Sequence, residues 1–210
     1  MKTAIIVGAT GLIGKELCNQ LLEDNRYDKI KLLVRKRQAL THSKIEEIII
    51  DFNNLNELNV TGDELYCCLG TTIKTAGSKE AFYKVDFEYV VQIAKHALQA
   101  GVEQLVVVSA MGADKNSSVF YNNVKGEMEE AVSQLGFQKC VIIRPSMLLG
   151  NRTEFRLAEL ITKKIMTTLS FLIPAKYKAI HDYQVAKAMI FNCNNSQLKV
   201  LIVENQDMLL

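Results

Sequence analysis

Three glycines at the start constrain this chain most. In "AIIVGATGLIG", Gly8, Gly11 and Gly14 stand three apart, directly after an apolar run and at the opening of a helical pattern. Glycine in such a turn permits backbone conformations closed to other residues and lets the chain approach a ligand closely. The helix that follows offers unpaired N–H groups suited to a pyrophosphate. The spacing is Gly-x-x-Gly-x-x-Gly rather than the Gly-x-Gly-x-x-Gly of the common dinucleotide fingerprint. Its place in a strand–turn–helix unit nevertheless points to a dinucleotide, with Gly8, Thr10, Gly11, Leu12, Ile13 and Gly14 along the phosphates.

The rest of the chain repeats the alternation. Apolar runs at 4–8, 29–35, 45–51, 64–70, 104–110 and 139–145 read as strands, and helical patterns cover 13–24, 79–100 and 117–135. Strands alternating with helices predict a parallel sheet covered on both faces, and near-continuous apolarity suits strands buried on both sides. The expected fold is α/β, a doubly wound parallel sheet of about seven strands. One domain spans 1–210, with a cofactor part to about 150 and a small C-terminal pocket-forming region from 151. Pro145 and Pro174 fall where the pattern gives way, and 146–180 is the least patterned stretch.

Several function classes drop out. A net charge of +2 gives no electrostatic reason to expect nucleic acid. No apolar stretch reaches the roughly 20 residues that span a bilayer, and the apolar start runs into glycine-punctuated structure rather than a cleavage site. Cys18, Cys67, Cys68, Cys140 and Cys193 lack metal-type spacing and read as reduced, mostly buried thiols, which points to the cytoplasm. His42, His96 and His181 form neither a metal set nor a Ser–His–Asp set, with His181 at most on a pocket rim. The amphipathic segment 154–174 reads as a lid or as packing against the sheet edge rather than as a membrane contact.

The second strand ends in "LLVRKRQ". Dinucleotide units that prefer NAD carry an acid here for the ribose 2′-hydroxyl. This chain carries Arg35, Lys36 and Arg37 instead, with Arg35 first after the strand. A guanidinium clamps a 2′-phosphate at roughly 1.5–3 kcal/mol, enough to set a preference for NADP(H) over NAD(H).

The spacing Tyr-x-x-x-Lys occurs three times, at Tyr27–Lys31, Tyr121–Lys125 and Tyr183–Lys187. On a helix it places the two side chains side by side. Only Tyr121–Lys125 follows a polar strand end, Ser109, and ligands bind at the carboxyl ends of parallel strands. On that helix Tyr121, Val124, Met128, Val132 and Leu135 form an apolar stripe with Lys125 inside its edge. A lysine tucked into a core-facing stripe implies a task for its charge.

The glycine spacing, the strand-end serine and Tyr-x-x-x-Lys together resemble the short-chain dehydrogenases/reductases, from Ile5 to about Gly150. "CCLGTT", "RPSMLLG", the late "DYQVAKAM" and the Lys-Gly-Glu after Tyr121 look more like an atypical branch, the Tat-interacting-protein-like NADP-binding oxidoreductases. The resemblance implies a Rossmann fold with Tyr121 as general acid/base and Ser109 bonded to a substrate carbonyl. It also implies Lys125 on the nicotinamide ribose, with its ammonium close to the phenol of Tyr121. Leu69, Gly70 and Thr71 would line the cofactor, Asp51 and Phe52 would flank the adenine, and Pro145 and Ser146 would pass the nicotinamide. Asp86 stands near the position where many relatives place a relay asparagine. The implied function is NADP(H)-dependent reduction of a small-molecule carbonyl, or the reverse oxidation of an alcohol. The alternative is a catalytically silent NADP(H)-binding regulator. Asn122, Asn123, Glu127 and Glu130 on the outer face of the Tyr121 helix favour a monomer over a homodimer.

Overall fold

The computed structural model describes residues 1–38, 40–55, 58–149 and 174–209; most of the segment 154–174 lies outside them. In chain order the elements are β1 (Lys2–Val7), α1 (Leu12–Glu23), β2 (Tyr27–Val34), β3 (Ile45–Ile49) and β4 (Glu64–Cys67). They continue through α2 (Ile73–Ala76), α3 (Lys79–Tyr83), a π-helical turn (Lys84–Glu88), α4 (Tyr89–Gln99), β5 (Gln104–Val108), α5 (Phe120–Ser133) and β6 (Lys139–Arg144). The short strands β7 (Leu148–Leu149) and β8 (Ile180–His181) pair with each other before α6 (Asp182–Asn195) and β9 (Val200–Glu204).

The main sheet has seven strands in the order β3-β2-β1-β4-β5-β6-β9, and every pairing in it is parallel. The order reverses between β1 and β4, the switch point at which such sheets open a crevice beyond their carboxyl ends. Apolar strand residues alternate between two cores. Ala4, Ile6, Tyr66, Val106 and Val141 face Leu17 and Leu21 of α1 and Val185 and Met189 of α6. Ile5, Val7, Leu65, Val107 and Ile142 face Ile93 and Ala97 of α4 and Met128 and Val132 of α5. Cys67 and the half-buried Cys68 fall on opposite cores, as adjacent strand residues must.

The observed strands stop short of the expected ends by one residue at β1, β2 and β6, two at β3 and β5, and three at β4. The residues left over include Gly8, Arg35, Asp51, Leu69, Gly70, Ser109 and Pro145. They are turn residues beyond the ladder, so the parallel topology gathers the candidate site residues along one edge. Three further departures have local causes. The helical pattern at 79–100 is broken by the π turn, and π turns occur often at functional sites. The pattern at 117–135 becomes helical only at Phe120. β9 forms beyond the unpatterned stretch, as an edge strand with Val200 and Ile202 exposed.

Candidate functional site

The glycine turn is built for close backbone approach. Gly8 has φ +83°, and a Cβ there would stand 2.6 Å from the carbonyl oxygen of Cys68. A Cβ on Gly14 would stand 2.2 Å from the carbonyl of Gly8, so both positions exclude a side chain. Gly11 donates its N–H to Gly8 and starts α1, whose first turn has no side-chain cap and no acidic residue. That leaves the helix N-terminus, with Leu12 and Ile13, electrostatically open to an anion. The geometry fits a pyrophosphate.

Across the switch point, β4 leads into Leu69, Gly70 and Thr71. Asp86, wholly buried on the π turn, accepts the N–H of Thr71 at 2.9 Å through Oδ2. Its Oδ1 lies 2.8 Å from Nζ of Lys125, itself only 3% exposed. That contact is ionic and lies off the direction of a hydrogen bond; among the described residues Oδ1 has no directed hydrogen-bond donor. Burial alone would push the Lys125 ammonium down, but Asp86 and then Tyr121 more than offset it, and its pKa is raised. The lysine in the apolar stripe therefore has its partner, and stays charged. Tyr121, one turn earlier on α5, is half-buried with its ring 5.4 Å from that of Phe82.

The other two Tyr–Lys pairs separate from this one. Tyr27 and Lys31 both belong to β2; Tyr27 donates to Glu64 at 2.6 Å, while Lys31 donates to the carbonyl of Thr61. Tyr183 and Lys187 lie on the exposed face of α6.

Ser109 is held elsewhere. Its buried hydroxyl donates to Oε1 of Glu129 at 2.5 Å, and Arg144 grips the same carboxylate with Nε at 3.0 Å and Nη2 at 2.6 Å. Arg144 also reaches Glu204 on β9, and bonding to Glu129 holds the guanidinium firmly protonated. Glu129 is a site-adjacent residue that the sequence pattern does not single out. Tyr121, Lys125 and Glu129 follow one another at four-residue intervals, so helical spacing places all three on one face. Only the fold brings Arg144 and Ser109 to it. Gly126 was also missed as a structural requirement: a Cβ there would meet the backbone nitrogen of Lys115 at 2.1 Å.

The remaining candidates line the same edge. Arg35 and Lys36 are exposed just past β2. Asp51 is exposed and accepts the N–H of Asn53, and Phe52 packs against Tyr89 at 5.2 Å. Beyond Pro145, Ser146 donates its N–H to Oδ1 of Asn205 and its hydroxyl to the carbonyl of Lys178. These bonds tie the end of β6 to the turn after β9 and to the chain before β8.

A family profile described as NAD(P)H-binding matches residues 8–194. The protein HTATIP2 of Rattus norvegicus is 34% identical over 197 residues, covering 91% of this chain and 81% of its own. The protein FMP52, mitochondrial, of Eremothecium gossypii is 32% identical over 217 residues, covering 98% of this chain and 95% of its own. Two solved structures share the fold at 17% identity. An oxidoreductase of the short-chain dehydrogenase/reductase family from Burkholderia thailandensis has a TM-score of 0.73, covering 99% of this chain and 92% of its own. The human epimerase family protein SDR39U1 with NADPH has a TM-score of 0.67, covering 98% and 77%. The chain belongs to the NAD(P)H-binding family, and it has the Rossmann fold that these solved structures share.

The cytoplasmic expectation does not stand, because the FMP52 relatives are named mitochondrial. It rested on reduced cysteines, and thiols buried in a core do not report which compartment surrounds them. Among the described residues no helix is long and apolar enough to cross a membrane.

Proposed function

We propose that this protein is an NADP(H)-dependent oxidoreductase acting on the carbonyl or alcohol of a small molecule. The observation that carries this reading is the buried Lys125, held charged by Asp86 beneath Gly70 and one helical turn from Tyr121. A protein that needed only a stable helix would have no use for an ion pair there, since an apolar pair of similar volume is often at least as stable. When bound, the reduced nicotinamide supplies a hydride. The chain supplies orientation and the proton. Gly8, Thr10, Gly11, Leu12, Ile13 and Gly14 seat the pyrophosphate, Arg35 and Lys36 take the 2′-phosphate, and Asp51 and Phe52 flank the adenine. Leu69, Gly70, Thr71, Pro145 and Ser146 complete the cofactor groove.

In reduction, the phenol of Tyr121 donates its proton to the substrate oxygen. Lys125 stabilises the negative charge left on the phenol oxygen. Ser109, with its proton committed to Glu129, presents its lone pairs as acceptors rather than a donor. That single feature favours a second reading, a regulator that binds NADP(H) and turns nothing over.

Tyr121→Phe separates the two readings. It should bind NADPH normally while losing roughly 10²–10⁴-fold in turnover, the usual share of general acid–base catalysis. Retention of every activity with normal binding would refute the catalytic assignment.

A further inference from the structure

We infer that Asp86 is itself a ligand-binding residue, accepting a hydrogen bond from a ribose hydroxyl that Lys125 holds. The inference rests on the dinucleotide-binding reading above and extends it to a residue outside the Tyr-x-x-x-Lys motif.

Two observations converge. Asp86 is fully buried, yet Oδ1 receives no directed hydrogen bond among the described residues, although Oδ2 is satisfied by the N–H of Thr71. Buried carboxylate oxygens are seldom left without a directed donor, and a ligand-binding or catalytic role is one explanation for an exception. The second observation is what covers the pair. Gly70 is exposed at the carboxyl end of β4 beside the switch point, and a Cβ on it would stand 3.6 Å from Asp86 Oδ1 and 3.9 Å from Lys125 Nζ. The ion pair therefore lies directly under a residue with no side chain, and a ligand crossing Gly70 passes over it.

The chemistry of the pair selects the ligand group. An ammonium only donates and a carboxylate only accepts. A hydroxyl does both, and can accept from Lys125 while donating to Asp86. A vicinal diol offers two such groups, and the nicotinamide-side ribose carries one in the dinucleotide. A lone ammonium would leave the hydroxyl proton without an acceptor. A neutral amide at 86, with its oxygen kept on Thr71, would turn a donor toward both Lys125 and the hydroxyl. The carboxylate is what makes the pocket complementary.

The test measures binding, not turnover. Purified wild type, Asp86→Asn and Gly70→Ala are each titrated with NADPH and with adenosine 2′,5′-bisphosphate, which lacks the nicotinamide ribose. Asp86→Asn should weaken NADPH by about tenfold or more, as for loss of a charge-assisted bond, and leave the bisphosphate within about twofold. Gly70→Ala should do the same through the methyl laid over the pair. It is expected to fold, because Gly70 is not among the positive-φ glycines and its Cβ would meet only ordinary contacts. Parallel losses for both ligands would overturn the inference in favour of a loop clamp through Thr71. Unchanged NADPH binding in either variant would overturn it outright. Failure of the wild type to bind NADPH would overturn the dinucleotide reading as well, and is distinguished by appearing before any substitution is made.

Discussion

A buried carboxylate stands near each end of strand β4, Glu64 on the strand itself and Asp86 on the π turn packed against the loop beyond it, and the two differ in how they are satisfied. At its start, Glu64 accepts from Tyr27 at 2.6 Å, Tyr66 at 2.7 Å and Lys2 at 2.5 Å. Asn194 of α6 then bonds both Tyr27 and Lys2 and closes the network over the amino edge of the sheet. Beyond its far end, Asp86 has one oxygen on Thr71 and the other on a lysine without a directed bond. The first network is complete within the chain and fastens α6 to β1, β2 and β4. In the second, Oδ1 of Asp86 has no directed donor among the described residues. Buried polar groups of equal depth thus differ in how fully the described residues satisfy them.

The comparison breaks most visibly at Glu64. Glu64→Gln leaves Lys2 and the tyrosines competing for one amide oxygen, and should cost about 2–4 kcal/mol in urea unfolding. NADPH affinity should stay within about twofold. Weakened NADPH binding without loss of stability would reverse the division between the two ends.

A smaller effect should appear in alkali. Burial, helped by Glu64, raises the Tyr27 phenol, and burial pushes the Cys140 and Cys193 thiols up to about 12. Each favours its protonated form in the folded state. Their contribution is therefore complete below the ordinary thiol value of about 8.5 and is lost as pH rises toward the folded values, at no more than about 1.4 kcal/mol per pH unit per group. The urea midpoint should fall between pH 8 and pH 10, and Cys193→Ala should flatten that fall. A midpoint that rises with pH would contradict the assignment.

The carboxyl edge was more legible in the sequence than the amino edge, for physical reasons. Gly14 is fixed by contact with the backbone of Gly8 and Ala9, so the turn announces itself locally, whereas the Cys68 carbonyl that excludes a side chain at Gly8 comes from beyond β4. Lys125 stood out because its charge interrupts an apolar stripe of regular period. Glu64 and Tyr27 gave no such signal, since their network joins residues 2, 27, 64, 66 and 194 and exists only once the strands are ordered. Asp86 was noticed by position, but its role depends on a π turn that no helical period foretells. Ser109 falls one residue beyond the end of β5; its partner Glu129 was hidden because the pairing needs Arg144 from β6.

The central claim is that the carboxyl edge holds a dinucleotide and that Arg35 and Lys36 select its 2′-phosphate. Parallel titration of the purified protein with NADPH and NADH, followed by nicotinamide fluorescence, tests it most directly. NADPH binding at least about tenfold tighter than NADH is the predicted result, matching one charge-assisted contact. Binding of neither would contradict the claim.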